Sequence, residues 1–405
     1  MKEKLNSDMK IALITFITPA SENIRGTSAL PYHLMIEREE QIDIIIYSFN
    51  ANKLSSEKIA EVEKELKVTI KQVPLPKWYL WMFKLHLLFL RVFLKYPFVN
   101  YIKLPQKYIK EINAQQPNLI WVMGEELSRI VKQFPDTQRI QIGPDTESLY
   151  YYRMMGRRFV IKKAFSYWKC ALMYFRYVRM EREFCTDDNF TYLAVGEEDI
   201  QHLHQLNPDV NAKFLRHPHY EVKGTNKRIS FHQPKIKLLI AGQYNIYMQQ
   251  DADLLNNELR AKSKVLALHY TIMFLGKGWE KHVETLRTAG YEVEHIKFAP
   301  DYIEEICKHD IQITPISIGT GTKGKVLDAL ANGLLVIGTP YALENIAVKH
   351  GESCIEYKQP EDVIQWLTEI SKNTSSFEKM AERGRENVLK YHDKKLIATK
   401  LFEKQ

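Results

Sequence analysis

The chain has 405 residues, 45% hydrophobic and 26% charged, with a mean hydropathy of −0.33; this argues against disorder and against a polytopic membrane protein, and leaves room for two or three domains. The net charge of +8 is unevenly placed: residues 77–110 hold seven Lys/Arg, residues 152–180 hold eight, and neither stretch holds an Asp or Glu, so the rest carries 42 basic and 49 acidic groups, a net of −7. Basicity confined to two stretches argues against a general nucleic-acid coat, and four cysteines without C-x-x-C spacing argue against a zinc knuckle, a redox pair or a disulfide scaffold.

Lys10 and the apolar run 11–17 could mimic a short signal peptide, but the run is brief and Thr15 interrupts it, so a strand is expected. Strands are expected at 10–17, 42–48, 119–123, 139–142 and 190–195. A polar stretch at 219–235, with Gly224, Asn226 and Pro234, reads as a linker. A second series follows at 236–241, 270–275, 292–297, 311–313, 334–338 and 353–357. Continuous runs such as Ile44-Ile45-Ile46 suit strands covered on both faces. Strand-helix alternation in two blocks implies an α/β protein with two doubly wound parallel sheets, whose ligands bind at the carboxyl ends of the strands. The segment 376–403 is charged and helical in character. No run of 18 apolar residues is present, so no transmembrane helix is expected.

Residues 77–95 read as one helix. Lys77, Lys84, Arg91 and Lys95 fall on a single stripe, and apolar residues including Trp78 and Trp81 fill the rest of its circumference. Residues 157–182 repeat the pattern with Lys162, Lys169 and Arg176. Such helices either cover the first sheet or lie in a membrane interface with lysines toward the headgroups. Glu125 and Glu126 follow the strand ending at Met123 and suit a helix cap or a site. Asp145 follows the strand 139–142 and suits an Asx-turn or a catalytic carboxylate. Asp251-Ala252-Asp253 spells D-x-D but opens a helical stretch, so capping accounts for it better than a metal.

The most informative stretch is 311–346. A strand ends near Thr314, a glycine-rich loop Gly319-Thr320-Gly321-Thr322-Lys323-Gly324-Lys325 follows, and a helix begins at Val326. Glycines let backbone N–H groups approach an anion, and a helix N-terminus adds about half a positive charge. Lys323 and Lys325 supply full charges, so the loop favours a phosphate or diphosphate. Asp328, on the first turns of the helix, suits a ribose diol or a dipole-stabilising role. A P-loop is absent, and the first strand is not followed by G-x-G-x-x-G, which argues against an oxidoreductase.

The sequence T-P-I-S-I-G-T-G-T-K-G-K-V-L-D-A-L-A-N-G-L-L-V-I-G-T-P at 314–340 resembles the donor-binding signature of GT-B glycosyltransferases, particularly family 4 (glycosyltransferase group 1). The resemblance implies two Rossmann-like domains facing a cleft. Residues 1–218 would bind the acceptor, 219–235 link, 236–385 bind the nucleotide sugar, and 386–405 return as a helix to the first domain. It makes Gly319, Thr320, Gly321, Thr322, Lys323 and Gly242 the diphosphate cradle and Asp328 the ribose ligand. Gly26, Thr27 and Glu125 would lie on the acceptor side, and Asp145 would orient the acceptor hydroxyl or the transferring sugar. Two departures stand out: Thr320 replaces the first Glu of the family's E-x7-E pattern, and Gln243-Tyr244-Asn245 replace its Arg/Lys pair after Gly242. Lys323 would then carry the phosphate charge.

The implied activity is transfer of a sugar from a nucleoside-diphosphate sugar to a saccharide or lipid-linked acceptor in surface polysaccharide or glycolipid synthesis. Retention is expected, with no metal and no cofactor beyond the donor. Domain closure near residue 220 would bring Asp145 to the donor. Lys77, Trp78, Trp81, Lys84, Arg91 and Lys95 would meet the acceptor or an anionic membrane surface, placing the protein in the cytoplasm, peripheral on the inner face of the membrane, with no nucleic-acid partner. The rival readings are an epimerase or hydrolase of the same fold and a non-catalytic membrane scaffold.

Overall fold

A computed structural model describes residues 9–21, 26–156, 164–223 and 229–403. The chain divides into two compact units, Met1–Pro218 with Lys394–Gln405, and His219–Asp393.

The first unit holds β1 (Met9–Thr15), β2 (Ile42–Ser48), β3 (Thr69–Gln72), β4 (Leu119–Met123), β5 (Arg139–Gly143), β6 (Phe190–Ala194) and β7 (Ala212–Phe214). Their order is β3-β2-β1-β4-β5-β6-β7, and every pairing is parallel. Successive side chains of a strand point to opposite faces. Ile11, Leu13, Ile44, Ile46 and Trp121 therefore enter one core cluster, while Ala12, Ile14, Tyr47, Ile120 and Val122 enter another. The helix Lys394–Glu403 closes the first of these faces, with Ile397, Ala398, Leu401 and Phe402 inside the cluster.

The second unit holds β8 (Ile236–Ala241), β9 (Tyr270–Leu275), β10 (Glu292–Ile296), β11 (Ile311–Thr314), β12 (Leu335–Gly338) and β13 (Ile355–Glu356). Their order is β10-β9-β8-β11-β12-β13, again all parallel. In each sheet the order reverses beside the first strand, at β1/β4 and at β8/β11. Ligands of doubly wound sheets bind outside the carboxyl ends of strands at such switch points.

Three expectations are corrected. The described part of 219–235 is no free linker: Phe231 lies in the core of the second unit, and its N–H donates to Glu378 Oε1 at 2.6 Å. The terminal helix is two helices, Thr374–Tyr391 and Lys394–Glu403, and the unit boundary falls between them rather than at 386. Phe377, Met380, Ala381 and Val388 explain this, since they bury in the second core and hold the longer helix there. The stretch 77–95 is not one helix. A helix Lys77–Lys84 ends near Leu85, His86 is left-handed at φ 54°, and a 3-10 turn runs Leu87–Phe93. Tyr79 stacks on Phe98 at 5.1 Å and meets Phe16 edge-on at 5.9 Å, while Arg176 donates to the Val92 carbonyl at 2.6 Å. These contacts override a pattern whose apolar residues surround the axis and favour no single face.

Candidate functional site

In the second unit β8 runs out at Ala241 into Gly242 (φ 117°), and β9 into Gly276 (φ 138°). A Cβ on Gly276 would sit 2.3 Å from the Gly242 carbonyl oxygen. L-residues avoid such φ values, and the overlap excludes any side chain, so glycine is required there. Trp279 Nε1 donates to the same carbonyl at 2.7 Å and pins the turn. The loop after β11 is tied to the loop after β8: Ser317 N–H donates to the Tyr247 carbonyl at 2.7 Å, and Asp251 N–H donates to Ser317 Oγ at 3.1 Å. The glycine-lysine loop thus borders the switch point.

The two lysines part company there. Lys323, the N-cap residue of the helix Gly324–Ala331, turns back on its own loop and donates to the carbonyls of Thr320 (2.5 Å) and Gly321 (2.8 Å). Lys325 reaches across to β8, donates to the Ala241 carbonyl at 3.2 Å and lies 3.3 Å from Met248 Sδ. A Cβ on Gly242 would lie 2.6 Å from its ammonium. Burial of the ammonium, with Lys323 adding repulsion, pushes Lys325 down to about 8. An ammonium depressed in this way at the carboxyl end of β8 is a group whose charged form a nearby anion would favour. Lys323, expected to carry the phosphate charge, is turned onto its own loop, and Lys325 is the lysine that reaches the switch point. Asp328 is buried beside Tyr220 and Tyr302, and after burial it is the next cause holding both phenols neutral. Thr320 is buried and Thr322 half-buried in the loop.

In the first unit a cavity of about 340 Å³ opens at the β1/β4 switch point. Gly26, Thr27, Glu125 and Asp145 all line it, together with Glu126 and Glu147. Glu125 caps a helix, though not its own: its Oε2 accepts from the N–H of Glu147, the first residue of the helix Glu147–Met155, at 3.0 Å. Glu125 also shares a hydrogen bond with Glu181. Glu181 accepts from Ser148 N–H at 3.0 Å and from the Ser148 hydroxyl. Burial first, and Glu181 second, hold Glu125 well above the usual carboxylate range, and burial raises Glu181 as well. Glu126 accepts from the Tyr177 hydroxyl at 2.5 Å. Glu147 is pushed up to about 8 by burial, then by Glu126 and Asp145. Glu147 was legible beside Asp145 in the sequence; Glu181, on a distant helix, carried no signal.

A folded-state value raised above the unfolded one means that stability present at low pH is lost as pH rises through the folded value. Stability is therefore expected to fall between about pH 5 and 8 as Glu147 and Glu125 resist ionisation. Thermal melting of Glu125→Gln/Glu147→Gln across this range is expected to show a flatter slope; a slope equal to that of the parent would refute the assignment.

Asp251 and Asp253 do not cap: the helix Gln249–Ala261 has no side-chain cap, and Asp253 Oδ1 instead accepts from the Tyr244 hydroxyl at 2.7 Å and faces His282 Nε2 at 2.9 Å. Among the described residues no group of three or more His, Cys, Asp or Glu is arranged to hold a metal ion.

The basic, aromatic stretches lie open. Trp81 is 62% exposed, Phe93 82% and Trp168 69%, and Lys77, Lys84, Arg91 and Lys95 are exposed with them. The two stretches meet through Arg176 and the Val92 carbonyl and through Arg179 and the Lys95 carbonyl. Lys162 lies outside the described residues, and the helix Ala164–Glu181 carries Lys169 and Arg176. Large apolar side chains left exposed beside one another in this way are a feature that interaction surfaces share. No helix among the described residues is long and apolar enough to cross a membrane.

Residues 257–403 match a family model described as glycosyl transferase-like. No curated protein matches the chain. Among solved structures, HepE of Anabaena in complex with UDP-glucose is similar over 98% of this chain and 98% of its own, at TM-score 0.63 and 11% identity. Sucrose-phosphate synthase of Thermosynechococcus elongatus is similar over 98% of both chains, at TM-score 0.61 and 10% identity. WaaG, a glycosyltransferase involved in lipopolysaccharide biosynthesis, is similar over 96% of this chain and 98% of its own, at TM-score 0.60 and 12% identity. The chain has the GT-B fold, with two Rossmann-like domains built on its seven- and six-stranded sheets.

Proposed function

We propose that this chain is a glycosyltransferase that moves a sugar from a nucleoside-diphosphate sugar to a saccharide or lipid-linked acceptor, with retention and without a metal. The observation that carries the reading is the Lys325 ammonium at the β8/β11 switch point, beneath Gly242 and beside a glycine loop. That loop lies within the stretch matching the glycosyl transferase-like model, and HepE, of the same fold, holds UDP-glucose. In this reading backbone N–H groups of Gly319–Lys323 and the Lys325 ammonium hold the diphosphate. Asp328 serves the ribose, and Gly242 leaves room for the sugar phosphate.

The bond from the anomeric carbon to the diphosphate oxygen breaks, and a bond to the acceptor oxygen forms on the same face. The departing diphosphate takes the acceptor proton, so no strong base is needed. Asp145 orients the acceptor hydroxyl, with Gly26, Thr27 and Glu125 around it. Held above the usual carboxylate range, Glu125 suits hydrogen bonding to a hydroxyl-rich acceptor rather than proton abstraction. The exposed aromatic and basic surface supports a lipid-linked acceptor met at an anionic membrane face, since each lysine near such a surface contributes about 1 kcal/mol.

A screen of UDP-, GDP-, ADP- and CMP-sugars, reading released nucleotide, tests the reading. One donor is expected to be consumed in an acceptor-dependent way, and Asp145→Asn to lower turnover about a hundredfold with donor affinity retained. Free sugar released without an acceptor would instead indicate a hydrolase or epimerase. Melting temperatures unmoved by every nucleotide would indicate a scaffold, because a bound ligand stabilises the native state.

A further inference from the structure

A second cavity of the first unit, about 320 Å³, is lined by Tyr96, Lys103, Ser128, Arg129, Lys132 and Glu183 among others, and none of these residues serves the donor or acceptor site. The Arg129 guanidinium lies 4.6 Å from the ring centroid of Tyr96 and 4.8 Å from that of Tyr101. The two rings hold it as a preorganised cation. Among the described residues no carboxylate pairs with Arg129, Lys103 or Lys132. The one acid lining the cavity is already engaged: Glu183 accepts from the Tyr96 hydroxyl at 2.6 Å and lies 3.6 Å from the Lys95 ammonium. Ser128 Oγ accepts from the buried Asn100 amide at 2.8 Å, which leaves its own hydroxyl hydrogen to donate. Three uncompensated cations and a hydroxyl donor around one cavity make a site for a doubly charged oxyanion.

The surroundings say which kind. The wall formed by Tyr96 continues within three residues to Phe93, 82% exposed, and the helix that supplies Met180 to the cavity carries the exposed Trp168 and Phe175. A charged hole at the rim of an apolar surface has the amphiphilic layout of a lipid headgroup site. We propose that this cavity binds the phosphate monoester headgroup of an anionic lipid, anchoring the protein at a defined point of the membrane. The inference rests on the membrane-facing reading of the surface around it, and the shared chemistry of lipid and free phosphate calls for two arms.

In the first arm, calorimetry measures binding of inorganic phosphate to Lys103→Gln/Lys132→Gln, to Arg129→Gln and to Lys77→Gln/Lys84→Gln. In the second, flotation measures binding of the same variants to phosphatidylcholine vesicles with and without phosphatidic acid. The cavity variants are expected to lose phosphate affinity at least tenfold and to bind phosphatidic acid vesicles about tenfold less. Lys77→Gln/Lys84→Gln, outside the cavity, is expected to keep its phosphate affinity. Lys103 and Lys132 are exposed, so Lys103→Gln/Lys132→Gln should melt like the parent, and lost binding there is not lost folding. Phosphate affinity equal to the parent's in both cavity variants would overturn the site. Lost phosphate affinity with unchanged vesicle binding would overturn the lipid assignment in favour of free phosphate. Vesicle binding lowered by Lys77→Gln/Lys84→Gln and not by the cavity variants would overturn the proposal while leaving the broader membrane surface standing. A parent protein that binds phosphate but no vesicle would overturn the membrane reading itself.

Discussion

Replacing Lys325 with methionine is expected to weaken nucleoside-diphosphate binding about thirtyfold and, at the same time, to raise the melting temperature of the unliganded protein. The first effect follows from losing a charge-assisted hydrogen bond, about 2 kcal/mol. The second follows from the cost of holding an ammonium against the Ala241 carbonyl and Met248 Sδ, where it is pushed down to about 8. Part of the side chain still meets water, so that cost is about 1–2 kcal/mol rather than the full value of the shift. The sign fixes a pH signature. A lysine depressed in the folded state is charged more readily when unfolded, so the unfolded chain binds more protons from about pH 8 to the ordinary lysine range. Stability conferred on the parent is therefore expected to rise across that window, and Lys325→Met to lose the rise. Donor binding at pH 8 should take up a proton, visible in titration calorimetry as a dependence on buffer ionisation enthalpy. Lys323→Ala should weaken binding less, because two loop carbonyls already hold that ammonium. Unchanged diphosphate affinity in Lys325→Met would remove Lys325 from the site.

Deleting Lys394–Gln405 is expected to destabilise the first unit by about 5 kcal/mol. Ile397, Leu401 and Phe402 are at most 5% exposed, and burial of such side chains contributes about 1.5–3 kcal/mol each, less what a compact unfolded chain already buries. Phe402 meets Trp121 of β4 edge-on, centroids 5.9 Å apart, so Phe402→Ala alone should cost about 3 kcal/mol. Urea denaturation of both variants measures the loss, and hydrogen exchange should show β1 and β4 losing protection first. A deletion variant as stable as the parent would mean that this helix is an appendage rather than part of the first core.

Much of the fold was legible along the chain. Apolar runs such as 42–48 and 119–123 are strands because they are buried on both faces, and that burial writes itself into composition. The short β3 and β7 were missed: Thr69–Gln72 and Ala212–Phe214 each hold one buried position among exposed and half-buried ones, as edge strands do, and are too short to leave a periodic trace. The candidate acceptor-side residues Gly26, Thr27, Glu125 and Asp145 were each placed by strand ends, and they share one cavity because β1, β4 and β5 are neighbours. The helix at 77–95 failed because its apolar residues surround the axis, so only partners from elsewhere, Phe16, Phe98 and Arg176, decide where it bends.

The uneven charge, the two blocks of strands and the glycine-lysine loop are properties of spacing, and the sequence by itself determined them. The tertiary structure alone decided which lysine reaches β8, which glutamates are pushed above the usual carboxylate range, and that Arg129 stands between two tyrosine rings. Lys323 and Lys325 are two residues apart at the start of one helix and point different ways, and which of them reaches β8 is set by where a strand 84 residues upstream ends. Glu125 is held above the usual carboxylate range because its side chain is buried and Glu181, from a different element, lies against it. Charge and protonation depend on burial and on neighbours brought from afar, and neither is written in the local order of residues.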